Sequence, residues 1–230
     1  MAGSGLFTRK KPLKEHLAPA AGAHGLEGEV ADLRKDIGEA LLPLAAITVD
    51  DYAVAPATAA AAGLKAATAT VAAAVTVLKA ALLAPGLAAL AAYGRNVTFT
   101  TAGATASDAP ASATITGIGM DGKVLTETVN LAQTATIANG AKIFKDVTKI
   151  DFLAADGVGA TIAIGFGVAL GLSKVPLARG GGAVHIREII DGAAVATGVL
   201  STTNRSFTPA TAPNAAHTYA IYYEFDPNVT

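Results

Sequence analysis

The 230-residue chain has no cysteine and no tryptophan, and aromatic residues make up only 5% of it. The missing cysteine excludes disulfides, thiolate metal ligands and thiol nucleophiles together. It also argues against a small, disulfide-stapled secreted domain. Charge is scarce as well: 17 Lys and Arg stand against 18 Asp and Glu, a formal net charge of −1. Such a balance provides no whole-chain attraction to nucleic acid or to an anionic membrane. Hydrophobic content nevertheless reaches 52%, and alanine makes up the difference. Alanine buries little area, and burial stabilises by roughly 25 cal/mol per Å². A core built this way gains less per position than one of Leu and Phe, so burial between subunits is expected to carry part of the stability.

Long apolar runs are also missing. The most membrane-like window, Ala57 to Ala92, is interrupted by Lys65, Lys79 and the Pro85-Gly86 pair. Its pieces are shorter than the roughly 20 residues of a spanning helix. No apolar stretch follows the basic residues near the N-terminus, so a signal peptide is not expected.

What is present divides into four segments. Residues 1–25, rich in Gly, Pro and Lys, read as an extended arm carrying the basic cluster Arg9, Lys10, Lys11 and Lys14. This leader is too poor in apolar residues to hold itself still, and ordering it costs about 1–2 kcal/mol per residue. A surface on a neighbouring chain is expected to fix it, and the cluster is a candidate for docking there. Residues 26–45 predict an amphipathic helix, because Leu26, Val30, Leu33, Ile37, Ala40 and Leu44 recur at alternating spacings of four and three. That is the period of a coiled-coil seam. Leu26, Val30, Leu33 and Ile37 are therefore candidates for self-association, the alternative being a helix that lies on its own domain. Residues 46–95 form an Ala/Thr-rich mixed segment, with strand favoured around Val71 to Val77 and a short helix from Pro85 to Tyr93.

Residues 96–230 predict a β-rich domain. Period-two alternation marks Asn96 to Thr101, Ser112 to Thr116 and Val124 to Val129, and Asp121-Gly122 between the last two is a hairpin turn signal. Further strands are expected over Phe144 to Phe152, Ala160 to Gly165, Val184 to Ile190 and Thr218 to Phe225, with Asp191-Gly192 as another turn. The fold class is thus mainly β: an antiparallel sandwich or barrel-like domain, with an extended N-terminal arm and one or two short helices.

Chemistry is thinly represented. Gly165-Phe-Gly-Val-Ala-Leu-Gly171 departs from the dinucleotide fingerprint, whose third glycine comes one place earlier in a βαβ unit. A glycine-rich strand end or bulge is the expected reading. His185 and Glu188 stand three apart in a predicted strand and are expected to point to opposite faces. The four histidines have no ligand spacing, so neither a metal, a cofactor nor catalysis is expected. Tyr219 and Tyr223 share a predicted strand face with Ile221 and Phe225, which favours burial over an exposed platform.

From about Ala91 to Phe225 the chain resembles tailed-bacteriophage virion proteins. The resemblance rests on Arg95-Asn-Val-Thr-Phe-Thr-Thr-Ala-Gly103, Ala113-Thr-Ile-Thr-Gly117, Asp121-Gly-Lys-Val-Leu-Thr-Glu-Thr128, Phe144-Lys-Asp-Val-Thr-Lys-Ile150 and Ile164-Gly-Phe-Gly-Val-Ala-Leu-Gly-Leu172. It implies a structural role in the particle and brings no catalytic residue with it. Among such proteins the chain is most like a capsid decoration (cement) protein, which clamps neighbouring major capsid protein subunits in the phage head. A homotrimer, assembled in the host bacterial cytoplasm, would be its form. A head-to-tail connector, tail or baseplate component is the alternative, and a host- or glycan-binding spike comes third. Neither a membrane nor nucleic acid is an expected partner.

Overall fold

The computed structural model describes residues 46–103, 108–131, 136–155, 159–179, 182–183, 185–195, 197–225 and 227. The candidate arm residues Arg9, Lys10, Lys11 and Lys14 and the seam Leu26, Val30, Leu33 and Ile37 lie outside them. The described residues form a mainly β structure in which every strand pairing is antiparallel.

Three larger sheets make up the architecture. A four-stranded sheet runs β3 (Val75–Leu78), β8 (Asp146–Phe152), β5 (Ser112–Ile118), β6 (Val124–Asn130). A six-stranded sheet runs β14 (Val199–Ser201), β15 (Ser206–Thr208), β9 (Thr161–Gly171), β4 (Arg95–Ala102), β7 (Thr136–Phe144), with β2 (Ala60–Ala69) also paired to β9. The third sheet runs β1 (Ala46–Tyr52), β16 (Tyr219–Phe225), β12 (His185–Ile190), β13 (Ala193–Val195). A small ribbon, β10 (Ala178–Arg179) with β11 (Gly182–Ala183), stands apart.

Two apolar cores hold these sheets. In the first, Val97, Phe99, Ile162 and Ile164 from the six-stranded sheet meet Ala113, Ile115, Val147 and Ile150 from the β3–β6 sheet. Phe99 and Phe152 close that sandwich edge to face at 5.8 Å. In the second, Tyr52, Ile190, Tyr219, Ile221 and Tyr223 pack on Leu170, Leu172 and Phe207. The long strand β9 therefore serves both cores, one with each half.

Local chemistry explains several elements. Gly122 (φ 75°) supplies the left-handed residue of the turn joining β5 to β6, and Asp191 (φ 50°) with Gly192 (φ 79°) turns β12 into β13. The single α-helix among the described residues, α1 (Ala84–Tyr93), starts with Pro85 in its first turn and ends where the Gly94 N–H donates to Leu90 O at 2.7 Å. The glycine-rich stretch Gly165 to Gly171 lies inside β9, and the β4–β9 register shifts beside it. It is strand with a bulge, as the sequence suggests.

The Ala/Thr-rich stretch does not stand alone. It contributes β1, β2 and β3, one strand to each larger sheet, and β4 already begins at Arg95. Residues 46–230 form one compact unit.

Candidate functional site

Three features of the described residues bear on function. One is a set of buried charges. Arg95 heads β4 on the core-facing side and is fully buried. Its Nε and Nη2 donate to Gly167 O, its Nη1 donates to Ala57 O at 2.9 Å, and the guanidinium lies 5.1 Å from the Phe166 ring centre. Burial pushes its pKa down to about 10. Glu188 is also fully buried, and its carboxylate accepts from the Gly198 N–H at 2.6 Å and the Ala210 N–H at 3.2 Å. Burial raises the pKa of Tyr219, which also feels the charges of Glu188 and Arg95. These charges lock a strand and two loops.

His185 and Glu188 correct an expectation. Alternation along β12 places residues three apart on opposite faces, yet both side chains reach Gly198: His185 Nδ1 lies 3.2 Å from its carbonyl and Glu188 Oε2 2.6 Å from its N–H. The register against β16 shifts between His185 and Arg187, and that bulge reverses the parity. The two groups hold a loop rather than a metal, and His185 packs edge to face on Phe207 at 5.6 Å. His217 and Asp191, distant in sequence, also meet, with Nδ1 and Oδ2 2.6 Å apart. Asp191 accepts from the Thr218 N–H as well, and these bonds, the Thr218 N–H first, hold its carboxyl below the usual carboxylate range. The Thr218 hydroxyl donates to Asp191, so the trio ties the β12–β13 turn to the start of β16. Among the described residues, no group of three or more His, Cys, Asp or Glu side chains is placed to hold a metal ion.

The edges of the sheets form the second feature. The two strands that end the main order of each larger sheet carry an exposed large aliphatic side chain, whereas β2, paired only to β9, carries none. These are Ile47 and Val49 on β1, Val195 on β13, Val199 on β14, Ile137 on β7, Val75 and Leu78 on β3, and Val124 on β6. Ile47 is 64% exposed and Val124 73%. Soluble proteins usually guard such edges with Lys, Pro or bulges, because an open edge invites pairing with another chain. The aromatics behave oppositely: Tyr219 and Tyr223 are buried, so they form no exposed platform.

The third feature is a trough of about 690 Å³ on the face of the six-stranded sheet turned away from the cores. The register shifts on both sides of Asn96, against β9 and against β7. Paired bulges bend a sheet, and here they curl it over Asn96. The Asn96 amide fills the broken ladder, donating to Gly140 O at 3.1 Å and accepting from the Ala169 N–H at 3.2 Å. A Cβ on Gly167 would lie 2.5 Å from Asn96 Oδ1, so a larger residue there would displace the Asn96 amide. None of this was readable from the sequence, where Asn96 and Thr98 look like ordinary outward strand residues. The shift in pairing was the missing signal.

No family model, curated protein or solved structure matches the chain. No helix among the described residues is long and apolar enough to cross a membrane.

Proposed function

We propose that the chain is a non-enzymatic structural protein of a tailed-bacteriophage virion, a capsid decoration protein that binds across neighbouring major capsid protein subunits and stabilises the head. The observation that carries this reading is the exposed aliphatic side chain on both strands that end the main order of each of the three larger sheets. Open apolar edges suit a molecule that is finished by its neighbours, because burial against another chain adds stability. The basic leader (Arg9, Lys10, Lys11, Lys14) is the arm of this reading, and the Leu26, Val30, Leu33 and Ile37 seam its trimer contact. An arm linked to a docked domain raises effective affinity without new chemistry.

The test adds full-length chain to phage heads that lack it and measures co-sedimentation. The parent binds in many copies per head. A double variant, Ile47→Lys with Val124→Lys, keeps the parent's circular dichroism and binds about tenfold more weakly, a loss of about 1.4 kcal/mol. A parent that ignores heads, or a variant that binds as the parent does, overturns the reading. A ring's worth of copies on each particle would assign the chain to the connector or tail instead.

A further inference from the structure

We infer that the trough on the six-stranded sheet is a binding site for a neutral oligosaccharide. It goes beyond the assembly role above and, apart from Ile137 on β7, uses different residues. Polar side chains on the outer face of a sheet normally stand in water. Here Thr98 is only 4% exposed and Ser206 6%, because the curled sheet encloses them. Both line the trough with Asn139, Asn204 and Thr208, and none of these five side chains makes a hydrogen bond within the described residues. The hydroxyl oxygens of Thr98 and Ser206 are not sealed off from solvent: they stay reachable from the trough, where a ligand or ordered water can complete their bonding.

The chemistry of the lining selects the ligand. No Asp, Glu, Lys, Arg or His is among the described residues that line the trough. It therefore offers no countercharge to a phosphate, sulfate or carboxylate, and burying such an ion without one is costly. Hydroxyl and amide groups each donate and accept, which matches the hydroxyls of a sugar. Ile137 at the rim and Ala59 to Ala61 along one wall provide apolar surface for the C–H face of a pyranose ring. The volume falls in the range of small-ligand sites, about 300–1,000 Å³. An extended peptide fits less well: it would add to an open sheet edge through its backbone, whereas these groups are side chains that line a trough.

The experiment titrates maltotriose, cellotriose and chitotriose, each to about 10 mM, into the isotope-labelled full chain, with 3′-sialyllactose as the charged comparison. At least one neutral trisaccharide shifts the amide resonances of Thr98, Asn139 and Ser206, and it binds more tightly than the charged sugar. Thr98→Val, which keeps the side-chain volume, and Asn139→Ala, at an exposed position, each weaken that binding about fivefold or more. No shift with any neutral sugar overturns the proposal, as does binding that survives both variants or maps elsewhere. Protection of the same residues by phage heads, with no sugar bound, would assign the trough to a protein partner and equally overturn it. The edge-strand variants leave the trough untouched, so this result and the co-sedimentation result are independent.

Discussion

Arg95 and Glu188 exemplify what single residues do here. Each is fully buried and satisfied by backbone: Arg95 by the carbonyls of Gly167 and Ala57, Glu188 by the N–H groups of Gly198 and Ala210. Removing one side of such a bond strands the other, which costs more than the net worth of the bond itself. Arg95→Met is expected to destabilise the chain by about 3 kcal/mol. Arg95→Lys should be nearly as harmful, since an ammonium cannot span two carbonyls with a planar fork. Chemical denaturation of both variants checks this, and a loss below about 1 kcal/mol for Arg95→Met would contradict the structure.

Turns and bulges decide the behaviour of the elements. Gly122 and Gly192 have positive φ, and a Cβ at either would meet nothing within 4 Å. Substitution there acts through backbone conformation alone, so Gly122→Ala and Gly192→Ala should each cost about 1 kcal/mol. For a chain of this size that lowers the melting temperature by roughly 2–4 °C. Gly165 makes the contrasting case. Its φ is ordinary, yet a Cβ would collide with Ala60 O where β2 crosses β9. Gly165→Ala is therefore expected to lower the melting temperature more than either turn variant, and thermal scans of the three rank the effects. Both turns were legible from Asp-Gly pairs between alternating strands. The bulges at Asn96 and at His185 were not, because a bulge depends on which residue of a partner strand lies opposite.

Across the whole molecule, tyrosine burial sets a limit at high pH. Tyr52, Tyr219 and Tyr223 have pKa values raised above 10.0, with burial the largest cause in each. A raised folded pKa contributes stability that is complete below the unfolded value and is lost as pH climbs through the folded one. The folded state should therefore be unaffected by these groups below about pH 10 and weaken steadily above it. Phenolate absorbance and near-ultraviolet circular dichroism should change together in an alkaline titration. Ionisation of all three tyrosines while the dichroism stays native would show that they are not buried. The same scale explains the sheet edges. Among the described residues, six end strands of the three larger sheets present aliphatic groups at the perimeter, which is why assembly rather than catalysis organises the proposed role.

The sequence by itself determined the class of fold, most strand positions, the helix begun by Pro85 and the burial of Tyr219 and Tyr223. These follow from local causes: period-two alternation, turn residues that tolerate positive φ, and a proline that suits a first helical turn. Only the tertiary structure decided that Ala46 to Tyr52 pairs with the last strand and Ala60 to Ala69 with β9, that Arg95 and Glu188 are interior, and that a polar face lines a trough. Each of those depends on pairing between distant segments, and pairing register is not written in the spacing of either partner alone.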